Sequence, residues 1–298
     1  MMNIVAKETC IMTPTNDYLF KRIFGQLGNE EITKGLVSSI IGRKIKDISL
    51  EGNTILAKDL VTDKLGILDV KIRFDTNVVC DVEMQVLYDK NIEERILYYW
   101  GKLYVNSIKS GDSFKKLKKT ISILIANFEI KDLSEIHKFH TEWQIREKDY
   151  RKTILTNVLE IHIISLPKLM KMIKNEEIPK QDEKLAIWSK FIVNPEMLEE
   201  SEMQRNKVVK KAKEELDKIN KDEYERRLAE LRQKAIRDDA AIRDFLYEEG
   251  LEKGIEDGKK QGTKETKKKI AKRMLESGIQ IEEVIKITEL SRCEIEEI

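Results

Sequence analysis

Two neighbouring segments of the sequence alternate between apolar and polar residues, and this alternation constrains the fold more than any other feature. In residues 67–74 and 78–85 the even-numbered positions are apolar and most odd-numbered positions are polar. A period of two is typical of a β-strand that buries one face. The residues between the segments, Asp75-Thr76-Asn77, are typical of a tight turn. The pattern therefore predicts a β-hairpin.

The register of this hairpin follows from the need to bury both apolar faces in one core. A slip of one residue would move a strand's apolar side chains to the other face, so facing residues must have numbers with an even sum. A three-residue loop pairs Phe74 with Val78. The same register places Asp69 opposite Glu83. Like charges at such directly opposed positions are destabilising, so we expect a cation between these two carboxylates.

A hard divalent ion such as Mg²⁺ suits this arrangement. Mg²⁺ usually takes one or two carboxylates and keeps several waters that a phosphate can displace. It polarises a phosphoryl oxygen and lowers the pKa of a bound water. Gln85 points to the same strand face, where its amide would orient that water or a phosphate oxygen. The alternative is a solvated hairpin face on which Asp69 and Glu83 are neighbours by accident.

The spacing of Asp69 and the motif Glu83-Met84-Gln85, with thirteen residues between them, resembles the active-site hairpin of the PD-(D/E)XK nucleases. The chain is most similar to the recombination-promoting nuclease (Rpn) group of transposase-like nucleases. The likeness extends along nearly the whole chain, through segments 16–25, 95–100, 110–114, 120–124, 160–162 and 166–168 and the C-terminal Glu-Gly repeats. The resemblance implies an α/β fold. It consists of a restriction-endonuclease-like core (helix, three strands, helix, strand) with a long, charged, helical C-terminal extension.

The same resemblance implies a metal-dependent DNA endonuclease that hydrolyses phosphodiester bonds in recombination or a mobile-element context. Asp69 and Glu83 would bind Mg²⁺ or Mn²⁺, and the backbone carbonyl of Met84 would be a further ligand. Gln85 stands where the family name calls for a lysine, and an amide supplies no positive charge. Lys71 is one substitute, although a cross-strand ion pair with Asp81 is the commoner explanation for it.

Three other side chains are auxiliary candidates on the predicted helices. Asp17, four residues before Lys21, forms either a surface pair or an extra acid near the metal. Arg95 and Tyr99, also four apart, would contact phosphate according to the family match, but an arginine on a helix is more often a surface residue.

His137 and His140 have a spacing that would bind metal on a helix, although surface or core histidines are the favoured interpretation.

Composition limits the partners that the chain is expected to have. The 55 basic and 54 acidic residues give a formal charge of +1, so attraction to DNA must come from local patches such as residues 115–119 or 267–269. The three cysteines form no metal motif or disulfide framework. The sequence shows no membrane-spanning run and no secretory signal, and we expect a cytoplasmic protein without membrane or organic-cofactor partners. A homodimer would cut both strands of a duplex most easily.

Three regions are predicted along the chain: a nuclease-like domain (1–195), a charged helical linker or arm with Glu/Gly repeats (196–267), and a small helix-turn-helix-like tail (268–298). The last helix of the tail is acidic, which is unfavourable beside phosphate. A structural or dimerising role is therefore favoured for the tail over DNA reading. The alternative for the whole protein is a non-catalytic DNA-binding or assembly protein that retains the nuclease fold.

Overall fold

The computed structural model describes residues 12–51, 70–75 and 77–298. The first described elements are α1 (Asp17–Phe24), α2 (Glu30–Ile40), β1 (Ile48–Leu50), β2 (Val70–Phe74), β3 (Val78–Gln85), α3 (Ile92–Val105) and β4 (Lys119–Ala126). They confirm the predicted α/β order of helix, three strands, helix and strand. Two further strands follow, β5 (His140–Trp143) and β6 (Leu159–Ser165). Asn16 caps helix α1, because its side chain accepts hydrogen bonds from the backbone N–H groups of Tyr18 and Leu19.

The strands form one mixed sheet in the order β1-β2-β3-β4-β6-β5. Strands β1, β2 and β3 are antiparallel neighbours, β3, β4 and β6 are parallel, and β5 is antiparallel to β6. The hairpin register agrees with the prediction, because Phe74 pairs with Val78 and Lys71 pairs with Asp81. The described part of β2 begins at Val70, opposite Val82. Asp69 lies outside the described residues.

The two faces of the sheet carry different cores. On one face, residues such as Ile72, Val82 and Ile123 join the main core with α1 and α2. On the other face, Leu124 and its neighbours form a smaller core with Ile92 and Ile96 of α3. Strand β4 is therefore buried on both sides, as its continuous apolar run predicts. Glu83 pairs with Leu124 across the parallel ladder, so its side chain lies on the face that α3 covers.

Helices dominate the chain after β6. They are α4 (Leu166–Lys174), α5 (Glu183–Val193), α6 (Glu200–Arg205), α7 (Lys207–Lys221) and α8 (Glu223–Glu276). Despite its high charge, α7 buries Val209, Ala212 and Leu216 in the main core. Among the helices in the described part of the chain, none combines the length and apolar character that crossing a bilayer requires.

The chain divides into two compact units, an N-terminal unit that ends at Arg237 and a C-terminal unit, Asp238–Ile298. The C-terminal unit contains the end of α8 together with α9 (Ile281–Thr288) and α10 (Arg292–Glu296). Its own small core includes Ala271, Val284, Leu290 and Ile295. Ser291 caps α10 in a reciprocal capping box with Glu294. The end of α8, α9 and α10 thus pack around one apolar centre.

Candidate active site

The Glu83 carboxylate is held by an arginine from the facing helix. Arg95 of α3 donates a hydrogen bond from Nη2 to Oε1 of Glu83. The two side chains are only 16% and 17% exposed for Arg95 and Glu83, respectively. Screening by water is weak at such a partly buried pair, so the interaction is stronger than an ordinary surface salt bridge. Arg95 was predicted as a phosphate contact, and the structure brings it to the acid of the motif.

The guanidinium of Arg95 has three other neighbours. Its Nη1 lies 3.7 Å from Oδ2 of Asp89, in the loop between β3 and α3. Its carbon Cζ lies 5.7 Å from the centre of the Tyr99 ring, within the range of a cation–π contact. Its Nε is buried and has no hydrogen-bond partner in the described part of the chain. Arg95 therefore lies between two carboxylates with one of its donors unused.

The two residues after Glu83 differ in what they offer to a ligand. Met84 places its side chain in the main core, on the opposite face of the sheet, which leaves its backbone as the only source of a metal ligand. Gln85 donates from Nε2 to the carbonyl oxygen of Leu87 at 3.0 Å. The Gln85 amide is thus fixed beside the loop that carries Asp89.

Lys71 and Asp81 face each other across β2 and β3, as the register predicts. The Asp81 side chain lies on the face that α3 covers and is almost completely buried. A catalytic role for Lys71 in place of the missing lysine stays a prediction.

The prediction that Asp17 and Lys21 lie on the surface is wrong. Asp17 is 6% exposed and Lys21 is 4% exposed. Arg232 of α8 donates from Nε to both carboxylate oxygens of Asp17, each at 3.0 Å, and from Nη2 to Oδ2 at 2.7 Å. This ion pair gives a structural reason for an acid at position 17, whose role near a metal stays a prediction. Sequence reasoning missed Arg232, because no local pattern connects residues so far apart in the chain.

The chemistry of the acidic side chains fits a hard divalent ion. In residues 12–51, 70–75 and 77–298, no group of three or more His, Cys, Asp or Glu side chains is arranged to hold a metal. Mg²⁺ does not need such a group, since one or two carboxylates and retained waters suffice. Glu83 presents its carboxylate on the sheet face that α3 covers, where Arg95 is the cation that contacts it. Glu83 is therefore suited to supply one ligand, and Asp69, outside the described residues, would supply the other.

A second polar cluster lies at the β5 edge of the sheet. His140 of β5 and His162 of β6 approach to 3.0 Å between Nε2 and Nδ1. His162 Nε2 lies 2.9 Å from Oε1 of Glu160, whose Oε2 accepts a hydrogen bond from Lys119 Nζ. Burial opposes ionisation of Glu160, but the hydrogen bonds from His162 and Lys119 prevail and lower its pKa to about 2. An ionised carboxylate only accepts hydrogen bonds, so the proton of His162 is on Nε2 and a neutral His162 accepts from His140.

The structure agrees with the favoured interpretation of His137 and His140 as surface or packed histidines, and not with that of a metal pair on one helix. His137 and His140 do not share a helix, because His137 is exposed in irregular chain and His140 begins β5. The residue that meets His140 is His162, which lies on the neighbouring strand.

We expect the stability of the protein to decrease as the pH falls from about 6.5 to about 4, partly because of His140. Burial lowers the pKa of His140 to about 4, and the nearby His162 and Lys138 act in the same direction. The unfolded chain therefore binds more protons than the folded chain in this range, and the free energy of unfolding falls by up to about 3 kcal/mol. Urea unfolding of the wild type and of His140→Asn at several pH values would measure this slope.

The variant His140→Asn should show the shallower dependence on pH, since asparagine does not titrate. His137→Gln is the matched control, because His137 is exposed, and it should keep the wild-type slope. Equal slopes for wild type and His140→Asn would contradict the assignment to His140.

Comparison with known protein families gives two matches. Residues 14–244 match the family described as PD-(D/E)XK nuclease family transposase. Residues 264–298 match the C-terminal HTH domain of the Rpn/YhgA-like nuclease family. No curated protein and no solved structure matches the chain. Because the first match covers more than half of the chain and includes the sheet, Glu83 and Arg95, the protein belongs to the PD-(D/E)XK nuclease family transposases of the Rpn group, with a C-terminal helix-turn-helix domain.

Proposed function

We propose that this protein is a metal-dependent endonuclease that hydrolyses phosphodiester bonds in DNA. The observation that carries the proposal is the position of Glu83 on β3, within the family match and beside a cationic side chain. Taking a carboxylate out of water is costly, and a cation beside it offsets that cost. Arg95 is that cation in the structure, and we infer that a divalent ion takes this role during catalysis.

In this reaction some residues would bind the metal ion and another would orient the attacking water. Asp69, Glu83 and the backbone carbonyl of Met84 would hold Mg²⁺ or Mn²⁺. The bound ion would stabilise negative charge on the phosphate and lower the pKa of a water. Gln85 would orient that water through a neutral hydrogen bond. Because Gln85 carries no charge, the carboxylates that hold the ion contribute more here than in relatives with lysine.

Cleavage of supercoiled plasmid DNA by the full-length protein tests this function. We expect nicked and linear products with Mg²⁺ or Mn²⁺, none with EDTA, and none from Asp69→Asn in either metal. Asp47→Asn is a suitable control, because Asp47 is an exposed acid immediately before β1, and this variant should cut like the wild type. Products in EDTA, or equal cutting by Asp69→Asn, would refute the assignment of the site.

A second candidate function is DNA binding without cleavage. Gln85 in place of lysine favours it, and so does the match of the tail to a helix-turn-helix domain. In this case the protein would retard DNA in a gel at physiological salt but leave plasmid intact in both metals. The acidic character of α10 argues against base reading by that helix, since it carries Glu294 and Glu296.

We infer a cytoplasmic setting and a homodimer as the working form. The cytoplasmic setting is inferred because DNA is accessible there. The homodimer is inferred because two copies of the chain would present one active site to each strand of a duplex. Analytical ultracentrifugation with and without a DNA duplex would test the dimer.

A further inference from the structure

We propose that Arg95 is a built-in competitor of the divalent ion for Glu83, and that Asp89 receives the guanidinium when the ion binds. The inference rests on the proposed function, because it concerns the same acid. It assigns to Arg95 a control of metal loading rather than only a contact with phosphate. In this scheme Arg95 is a positioning residue, since it acts through Glu83.

The first support is that one cation is shared between two acids. Arg95 makes its hydrogen bond to Glu83 through Nη2, while Nη1 lies 3.7 Å from Oδ2 of Asp89. The second distance allows attraction but is too long for a hydrogen bond. A small rotation of the side chain toward Asp89 would complete the second pair as the first one breaks. The two acids thus define two end positions for one guanidinium.

The second support is that the present position leaves a buried donor of Arg95 unused. Its Nε has no hydrogen-bond partner among the described residues, and an unsatisfied buried donor costs free energy. The arrangement on Glu83 is therefore not the best one that a guanidinium with five N–H donors can reach. A ligand oxygen or a rotated side chain would satisfy this donor. The Tyr99 ring remains beside the guanidinium as a cation–π surface.

The third support is that the surroundings of Arg95 are anchored by packing and by a hydrogen bond. Helix α3 is anchored to the sheet by Ile92 and Ile96, which are buried in the smaller core. Asp89 is fixed as an acceptor, because its Oδ1 accepts from the backbone N–H of Asn91 at 3.0 Å. A fixed helix and a fixed second acid restrict the change to the arginine side chain.

Competition for Glu83 has a measurable consequence. An ion that binds Oε1 of Glu83 must displace Arg95 from that oxygen, so the Arg95 contact reduces the apparent metal affinity of Glu83. After displacement the guanidinium lies next to the ion site with its Nε available to a phosphate oxygen. Binding of the ion to Glu83 would then also place the positive charge of Arg95 where a DNA phosphate can meet it. This would supply part of the positive charge that Gln85 lacks.

The test measures Mn²⁺ binding to the full-length protein without DNA, from the electron paramagnetic resonance signal of free Mn²⁺. Arg95→Gln should bind Mn²⁺ about tenfold more tightly than the wild type, because the competitor is gone. Asp89→Asn should bind severalfold more weakly, because the displaced guanidinium loses its charged acceptor. In the double variant the Asp89 substitution should no longer matter, which is the signature of coupling.

Controls separate this inference from a general effect of charge. Lys102→Gln removes an exposed positive charge from the same helix and should leave Mn²⁺ affinity unchanged. If Arg95→Gln does not fold, as judged by circular dichroism, Arg95→Lys replaces it. Lysine cannot contact both acids through a planar fork, so a few-fold tighter binding is expected. Arginine variants that bind Mn²⁺ no more tightly than the wild type would overturn the inference, as would an Asp89 effect that persists in the double variant.

The outcomes also separate this inference from the proposed function. Wild-type Mn²⁺ binding that is lost in Glu83→Gln, with unchanged binding in Arg95→Gln, would refute the competition and leave the metal site standing. Absence of Mn²⁺ binding in the wild type and in the arginine variant would refute both. Binding that appears only in the arginine variant would support the competition in its strongest form.

Discussion

Replacing Glu83 by glutamine is expected to lower the rate of metal-dependent DNA cleavage by about a thousandfold, which corresponds to about 4 kcal/mol of lost transition-state stabilisation. Glutamine has nearly the same shape as glutamate and still accepts a hydrogen bond from Arg95, so we expect the fold to persist. It removes the negative charge that would hold the ion. The charge developing on the phosphate would then lose its main counterion.

Initial rates of plasmid nicking in Mn²⁺ measure this effect, and thermal unfolding followed by circular dichroism verifies the fold. Glu94→Gln is the matched control, since Glu94 is an exposed acid in the first turn of α3, and it should retain the wild-type rate. A Glu83→Gln protein that cuts as fast as the wild type would show that cleavage does not depend on this carboxylate.

The largest expected effect on stability follows the removal of Arg232. Arg232→Ala should lower the free energy of unfolding of the N-terminal unit by about 3–5 kcal/mol, because it leaves the buried Asp17 carboxylate without the guanidinium that now contacts it. Both partners are almost completely buried, so water cannot replace the lost hydrogen bonds at low cost. Urea unfolding at pH 7, followed by circular dichroism, measures the change.

Two further variants test the reason for this loss. Arg237→Ala removes an exposed arginine of the same helix and should change the free energy of unfolding only slightly. The double variant Asp17→Leu with Arg232→Met replaces the whole ion pair by apolar side chains and should recover much of the stability. A small loss in Arg232→Ala, similar to that in Arg237→Ala, would mean that the buried ion pair contributes little.

The hairpin was the part of the fold that the sequence could predict best, because its register depends on parity alone. Alternate apolar positions must face one core, and this condition sets the pairing of Phe74 with Val78. Strand β5 was missed, since His140–Trp143 is a short edge strand without a clear apolar pattern. Residues 196–267 were predicted to be helical, but their high charge concealed the packing of α7 in the main core, for which a few aliphatic residues at helical spacing suffice.

The candidate site could be predicted only as far as local patterns reach. The motif residues follow from the hairpin, but the pairing of Glu83 with Arg95 depends on how α3 crosses the sheet. No sequence spacing fixes that crossing. For a related reason the histidine spacing did not identify the partner of His140, because that partner, His162, is on another strand.

The separation of the two sheet faces has a consequence for how such proteins evolve. The main core occupies one face, whereas Glu83 and Arg95 lie on the other beside the smaller core, so a substitution at the acid leaves the packing of the main core in place. Under the proposed function, a lineage could therefore lose hydrolysis through one substitution and keep the main core. Inactive relatives that arise in this way should retain the aliphatic pattern of β2 and β3 after the acids have changed.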